Sequence, residues 1–314
     1  MWVTVGLTVL LVILFYLIGQ AADWVIINVK KLGGHLGIKH VWLGILLGIL
    51  TSMPEFFVGL QSFFKQSGQL AYGNLVGGIV VLIGLIAGLS AIFLGKLEVE
   101  ASFSRRDIFS IIVFLGLPVW LAADGSLSWL DGLLMVALYG FLLSHLIDTK
   151  EKLNTSVQVE PGASNLRNII YMMLGLGVIM VLSNFIMDVT MNLIGRLGIP
   201  NLIAGLLIFS IGTNLPEISL ALSAWRSRAR ELSLGNLLGS AMANVLVLGL
   251  LSFIKPVFIP LGGSFIFLAT VMLMLLVGFM VFSSTAGNIN RREGAVLVMI
   301  YLFFIVGVIF NGLL

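Results

Sequence analysis

The fold is decided by a stretch of sequence that occurs twice. Residues 51–77 read TSMPEFFVGLQSFFKQSGQLAYGNLVG, and residues 213–239 read TNLPEISLALSAWRSRARELSLGNLLG. The two stretches align without a gap at a constant offset of 162, and 9 of the 27 positions are identical. The identical residues include Thr, Pro, Glu and Asn, which apolar packing alone does not require. The chain is therefore predicted to contain two related halves.

The sequence around this repeat is strongly apolar. Hydrophobic residues make up 59% of the chain and charged residues only 10%, with a mean hydropathy of +1.14, whereas soluble domains have about 25% charged residues. This composition excludes a soluble enzyme and a disordered chain. The 36 glycines suit helices that pack closely in a membrane. Cysteine is absent, which excludes disulfides and thiolate metal sites.

The apolar residues form ten segments that are candidates for membrane spans, each about 20 residues or somewhat shorter or longer. These segments lie near 3–27, 40–64, 70–93, 107–123, 128–147, 167–190, 200–225, 232–254, 263–283 and 295–314. A polar linker, residues 148–166, separates residues 1–147 from residues 167–314, with five segments in each half. Because five is an odd number, the second half enters the membrane from the opposite side. The predicted fold class is an all-α polytopic membrane protein, with ten transmembrane helices as two inverted five-helix repeats.

The basic residues predict the orientation of these helices. If the N-terminus lies outside, the inside loops hold 14 of the 17 Lys and Arg residues, and the outside loops hold only Lys65, Arg196 and Lys255. Cytoplasmic loops carry such an excess. We therefore expect an integral protein of the plasma (inner) membrane with both termini outside and a cytoplasmic linker. The first segment lacks a basic start and is too long for a signal peptide, so it is expected to remain as a span.

Two acidic residues lie well inside predicted spans. Glu55 and Glu217 occupy equivalent positions of the repeat, and neither span has Lys or Arg in its apolar interior. A carboxylate at the bilayer centre costs about 2.5–3.5 kcal/mol or more, so such residues usually mark ion pathways. Bound cations or protons must therefore neutralise them. A protonated glutamic acid that only serves helix packing is the alternative, and it is weaker for two equivalent residues than for one.

A proline precedes each glutamate and adds oxygen ligands to the same region. Pro54 and Pro216 have no N–H group, so the carbonyls of Leu50 and Gly212 lose their helical partners. Freed carbonyls inside a membrane must line a cavity or find another partner. Hydroxyl groups stand beside the prolines, in Thr51, Ser52 and Thr213.

This collection of oxygen atoms favours a hard cation such as Ca²⁺. The chain has three histidines, none of them beside the glutamates, which argues against Zn or Cu as the intended ion. They are His35, His40 and His145.

The helix that follows each glutamate carries GNLVGG (73–78) or GNLLGS (235–240). The four-residue spacing of small residues predicts close helix packing through Gly73, Gly77, Gly235 and Gly239. Asn74 and Asn236 could be ligands or could bridge helices, and bridging is favoured. Ser240 and Asn244 share one helix face, whereas the equivalent positions of the first half are Gly78 and Leu82. The predicted site therefore receives more polar side chains from the second half than from the first.

The pattern G-T-[SN]-x-P-E, followed by G-N-x-x-G-S-x-x-x-[ND], in two inverted copies resembles the calcium/cation antiporter superfamily, which includes the sodium/calcium exchangers. The second half matches this pattern throughout, and the first half has Leu50 in place of the motif glycine. The resemblance implies exchange of Ca²⁺ for Na⁺ by alternating access at a site near the midplane. It implies side-chain ligands from Glu55, Glu217, Thr51, Thr213, Ser52, Asn214, Ser240 and Asn244, with the carbonyls of Gly48 and Ser210 as further candidates.

The chain departs from the family pattern at Leu82 and Gly78, where exchangers of this type usually carry polar residues. The fixed charge of the site is then at most −2, which suits one divalent ion, two monovalent ions or two protons. Electroneutral exchange of one Ca²⁺ for two Na⁺ or two H⁺ is the simplest expectation. An H⁺-coupled antiporter, or a degenerate family member with altered ion selectivity, remains an alternative.

Other functional classes have less support. The sequence has no H-E-x-x-H motif and no pair of intramembrane Asp residues, so we expect no enzyme activity. A passive channel is also less favoured, because open pores usually form from symmetric rings of subunits, whereas this is one chain with an inverted repeat. The expected partners are inorganic cations, Ca²⁺ and Na⁺ or H⁺, and the lipid bilayer, with no cofactor and no nucleic acid. The sequence allows a monomer.

Overall fold

The computed structural model describes residues 2–35, 50–99, 103–151, 165–227, 234–285 and 287–313. Within these ranges the chain is almost entirely helical. The helices are α1 (Trp2–His35), α2 (Met53–Phe64), α3 (Gly68–Val80), α4 (Ala87–Leu94), α5 (Arg105–Leu121), α6 (Trp129–Glu151), α7 (Asn165–Leu197), α8 (Asn201–Ala204), α9 (Ser210–Thr213), α10 (Leu215–Ser227), α11 (Leu234–Ile254), α12 (Gly263–Thr285) and α13 (Arg291–Leu313). Residues Val81–Ile86 and Gly205–Phe209 are π-helical and join α3 to α4 and α8 to α9, and Ala122–Asp124 is a 3₁₀ turn.

The described helices are those of a membrane protein. Eight are long and apolar enough to cross a bilayer, and there are nine if the pair Asn201–Thr213 and Leu215–Arg226, bent by 49°, forms one span. The predicted segment 40–64 is described only from residue 50 onward, and residues 152–164 of the predicted linker lie outside the described ranges. The prediction of a polytopic helical membrane protein is confirmed, whereas the count of ten helices remains a prediction.

The two long helices, α1 and α7, extend well beyond the apolar segments from which they were predicted. They contain 34 and 33 residues, although about 20 residues suffice to cross the hydrocarbon core. The two helices pack along each other, and their apolar contact forms one of two hydrophobic clusters. The other cluster surrounds α3 and α11, which are buried along most of their length.

The chain breaks in the same way before each glutamate. Ser52 has φ −91° and ψ 13°, and its repeat partner Asn214 has φ −86° and ψ 13°. Helical hydrogen bonding then resumes: the amides of Phe56 and Ile218 donate to the carbonyls of Ser52 and Asn214, each over 3.0 Å. The break follows from the sequence, because the proline two residues further on is favoured in a first helical turn and excluded from a helix interior.

Two short antiparallel strand pairs were not predicted. Strand β1 (Lys96–Glu98) pairs with β4 (Asn288–Asn290), and β2 (Ser126–Leu127) pairs with β3 (Val257–Phe258). Each pair joins one half of the chain to the other. Their buried residues face each other as Leu97 with Ile289 and as Leu127 with Val257. Pairs as short as these leave no extended period-2 pattern for sequence analysis to detect.

Gly73 and Gly77, the predicted packing glycines of the first half, contact the second half of the chain directly. A Cβ atom on Gly73 would lie 2.5 Å from the Leu202 carbonyl oxygen, and one on Gly77 would lie 2.8 Å from the Cβ atom of Ser210. In return, a Cβ atom on Gly205 would lie 2.4 Å from the Leu70 carbonyl oxygen. Helix α3 and the segment 201–213 therefore meet backbone to backbone.

The equivalent glycines of α11 are placed differently. Gly235 is half-buried, and a Cβ atom on Gly239 would meet no described atom within 4 Å. In the part of the chain that the structure describes, Gly239 does not make the close contact that its spacing predicts.

Replacement of Gly205 by alanine should destabilise the protein. The new methyl group would meet backbone atoms of α3, which cannot move aside, and overpacking of this kind costs about 1–3 kcal/mol. Thermal unfolding of the purified protein in detergent measures the effect. Gly177→Ala is the matched control, because its Cβ atom would meet no described atom within 4 Å. Equal unfolding temperatures for both variants would contradict the packing.

Candidate cation site

The two glutamates lie at equivalent places in the structure. Glu55 is in the first turn of α2 and Glu217 in the first turn of α10, and they are 2% and 6% exposed. Each carboxylate interacts with its own backbone N–H group. The free N–H groups and the dipole of a helix N-terminus favour negative charge. The break in each half thus places a carboxylate where the helix can partly stabilise it.

This stabilisation leaves one oxygen of each carboxylate without a partner. The Oε2 atoms of Glu55 and Glu217 are buried and accept no hydrogen bond from any residue in the described ranges. The two carboxylates are also close enough to repel each other electrostatically. A buried charge without a partner is strongly unfavourable. The arrangement therefore requires positive charge, as cations or protons, between α2 and α10.

A third carboxylate lies nearby on α1. Asp23 is half-buried and interacts electrostatically with Glu217. Its counterpart in the repeat, Asn184 on α7, is exposed. The structure brings Asp23 toward the glutamates and leaves Asn184 on the surface.

The Thr213 hydroxyl connects three helices. It lies 3.1 Å from the Asn74 Oδ1 atom and 3.1 Å from the Phe209 carbonyl oxygen, and it also interacts with Glu55. Because a hydroxyl has one proton, it can donate fully to only one of these acceptors at a time. Asn74 is fully buried on α3, and its Nδ2 atom has no partner within the described ranges. Asn74 thus contacts the site through Thr213, whereas Asn236 is exposed.

The remaining second-half candidates are buried. The Asn214 Nδ2 group donates to the Ser210 carbonyl over 2.8 Å, so this candidate ligand carbonyl already accepts one hydrogen bond. The Ser210 hydroxyl donates to the Leu206 carbonyl. Ser240 and Asn244, one turn apart on α11, are 6% and 2% exposed.

The first half contributes fewer polar groups. Ser52 is buried and Thr51 is half-buried, while Gly48 lies outside the described residues. Gly78 has no side chain, and Leu82 is fully buried in the larger hydrophobic cluster. Across the described ranges, no group of three or more His, Asp or Glu residues could hold a metal ion. Any cation here would depend on two carboxylates and neutral oxygen atoms.

Fold and site together define a polytopic membrane protein with two buried carboxylates. The family described as "Sodium/calcium exchanger protein" matches residues 6–147 and 167–310. The chain therefore belongs to the sodium/calcium exchanger family, whose members transport inorganic cations.

Individual relatives match over most of their length. Sodium/calcium exchanger MaX1 of Methanosarcina acetivorans is 26% identical and aligns over 97% of this chain and 98% of its own. Inner membrane protein YrbG of Escherichia coli is 28% identical over 79% of this chain and 80% of its own. A solved structure of the sodium-calcium exchanger NCX_Mj, soaked with Na⁺ and Sr²⁺, matches with a TM-score of 0.64 at 23% identity, and covers 97% of this chain and 98% of the other. The last match shows that the fold is shared.

Replacement of Thr213 by valine should destabilise the protein in cation-free buffer. The change removes the donor to Asn74 and leaves that buried carboxamide further unsatisfied, which costs about 1–3 kcal/mol. Thr270→Val is the matched control, since Thr270 is exposed and its hydroxyl donates to the Ile266 carbonyl within its own helix. Thermal unfolding compares the two variants, and equal shifts would show that the Asn74 link does not stabilise the core.

Proposed function

We propose that the protein is a secondary active antiporter that exchanges Ca²⁺ for Na⁺ by alternating access. The proposal depends chiefly on two buried carboxylate oxygens, the Oε2 atoms of Glu55 and Glu217, which accept no hydrogen bond from any described residue. Two carboxylates balance one Ca²⁺ or two Na⁺, and both ions prefer oxygen ligands. Membership of the sodium/calcium exchanger family supports the choice of these ions.

The proposed ligand set extends from the glutamates to neighbouring neutral oxygens. It consists of the side chains of Glu55, Glu217, Thr51, Thr213, Ser52, Asn214, Ser240 and Asn244, with the carbonyls of Gly48 and Ser210. The second-half members are buried, and the unpartnered Oε2 atom of Glu217 among them supports the proposal, because a buried polar atom usually has a partner.

We propose that ten helices form two inverted repeats, residues 1–147 and 167–314, with both termini outside and residues 148–166 in the cytoplasm. Repeat-equivalent contacts support this architecture. Gly88 and Gly294 approach each other, as do Gly132 and Gly249. Position 132 corresponds to 294 at the offset of 162, and position 88 corresponds to 249 at an offset of 161.

Alternating access would move the two long helices over the rest of the protein. The α1 helix contacts the broken segment of the second half, where the Phe15 ring lies against Gly212: a Cβ atom there would be 2.5 Å from the ring. The α7 helix contacts α2, and Lys65 pairs with Asp188. Each long helix thus touches the glutamate-bearing segment of the other half, a suitable place for a movable barrier.

The carboxylates also explain why the protein would exchange ions rather than leak them. Without a bound cation, two charged glutamates would have to cross the barrier region, which is costly in a low-dielectric environment. Loaded with one Ca²⁺ or two monovalent cations, the site is neutral and can be exposed to either side. Transport in one direction therefore requires return with another cation.

Conversion of Glu55 or Glu217 to glutamine should abolish Ca²⁺ exchange in proteoliposomes while the protein still folds. Glutamine keeps the size of the side chain and removes the charge that attracts the cation. Glu98→Gln is the control, since Glu98 is exposed and pairs with Lys96 at the surface. Unchanged Ca²⁺ uptake in both site variants would refute the glutamate site.

We expect electroneutral exchange, because the proposed ligand set contains only two carboxylates, those of Glu55 and Glu217. Uptake of Ca²⁺ into proteoliposomes, driven by Na⁺ leaving them, should then proceed at the same rate with and without an imposed membrane potential. A flux that itself generates a potential would exclude this stoichiometry.

The coupling ion distinguishes the second candidate, an H⁺-coupled Ca²⁺ antiporter. Gly78 and Leu82 favour it, because they remove polar groups that could serve additional Na⁺ ions. Ca²⁺ uptake driven by a pH gradient without Na⁺ would support proton coupling. Uptake that needs a Na⁺ gradient at constant pH would support Na⁺ coupling.

A further inference from the structure

Two carboxamides of the second half crowd the backbone of α3 at Gly78. A Cβ atom built on Gly78 would lie 2.6 Å from the Asn244 Nδ2 atom and 3.1 Å from the Asn214 Nδ2 atom. Carbon and nitrogen atoms in van der Waals contact lie about 3.5 Å or more apart. The space occupied by the Asn244 carboxamide is thus available only because residue 78 has no side chain.

The two carboxamides are held in different ways. The Asn214 Nδ2 group donates to the Ser210 carbonyl. The Asn244 Nδ2 atom is buried, and no described residue accepts a hydrogen bond from it. Packing, rather than a hydrogen bond to a described residue, therefore sets the position of the Asn244 Nδ2 atom. Gly78 is the residue that leaves room for it.

At positions 78 and 82, the first half of the chain supplies no side-chain oxygen. Gly78 has no side chain, and Leu82, one turn further along, is fully buried among apolar residues. A carboxamide has an oxygen at one end that can coordinate a cation as a neutral ligand. Asn244 is thus suited to supply the oxygen that positions 78 and 82 do not.

We propose that Gly78 is a positioning residue for the cation site and acts through Asn244. The missing side chain lets the Asn244 carboxamide reach across from the second half and complete the oxygen shell of a divalent cation. The inference rests on the proposed function. It assigns to Gly78 the role of setting the affinity for Ca²⁺ without contact with the ion.

A double-mutant cycle tests the proposal. Gly78→Ala, Asn244→Ala and the double variant are compared with the unchanged protein, and half-saturating Ca²⁺ concentrations for uptake into proteoliposomes are measured. Each single change should raise this concentration by about tenfold or more, as loss of ligand support commonly does. The double variant should be no worse than Asn244→Ala, because the same ligand is lost in both. Additive effects, or a Gly78→Ala variant with unchanged affinity, would overturn the proposal.

Gly140→Ala is the matched control, since a Cβ atom at this position would have no neighbour within 4 Å in the described part of the chain. It should leave the half-saturating Ca²⁺ concentration unchanged. An increase equal to that of Gly78→Ala would overturn the proposal, because the effect would then not depend on the position.

A second measurement separates this inference from the proposed function. Thermal unfolding in detergent without divalent cations should show a lower unfolding temperature for Gly78→Ala, and Asn244→Ala in the same chain should restore it. This coupling between the two substitutions depends on packing alone, so it can be measured even if the unchanged protein takes up no Ca²⁺. Absence of Ca²⁺ uptake by the unchanged protein would refute the proposed function and not the contact between Gly78 and Asn244. If Gly78→Ala does not fold, recovery of folding in the double variant supports the contact, and failure to recover overturns it.

Discussion

The structure depends on a pair of carboxylates that are buried without a basic partner in the described residues. Glu55 and Glu217 each lie in the first turn of a helix after a break, and one oxygen of each has no hydrogen-bond partner among the described residues. In a low-dielectric interior, helix N-termini and hydroxyl groups stabilise such charges in part, and cations or protons must balance the rest. The breaks at Ser52 and Asn214, with their nearly identical backbone angles, are the local means by which this is achieved.

Close helix packing holds the two breaks together. Backbone contact between α3 and the segment 201–213 needs glycine at positions 73 and 205, because any Cβ atom there would meet a carbonyl oxygen. This contact brings Asn74 to Thr213 and so connects the buried α3 helix to Glu55. The long helices α1 and α7 lie outside this core and pack chiefly on each other. Such a division into a tightly packed centre and a separate helix pair suits alternating access.

Much of the fold could be predicted because the relevant signals are local. Apolar runs of about 20 residues mark spans, and Pro54 and Pro216 mark helix breaks. The ends of α1 and α7 could not be predicted, because both helices continue past the apolar runs that were used to place their ends. The strand pairs were missed because two or three residues carry no periodicity. The packing role of Gly239 could not be distinguished from that of Gly77, because both have the same spacing but different neighbours.

Composition and the internal repeat are enough to identify a membrane protein with two related halves, and to single out Glu55 and Glu217 as the acidic residues inside its predicted spans. Composition, the constant offset of 162 and the absence of basic residues from the spans are sufficient for this. Tertiary packing, by contrast, sets the contacts around the site: Thr213 joins Asn74 to Glu55, Asp23 lies near Glu217, and the Asn244 carboxamide lies over Gly78. The physical reason is that these contacts join residues far apart in the chain, and their distances depend on how helices pack rather than on any local pattern.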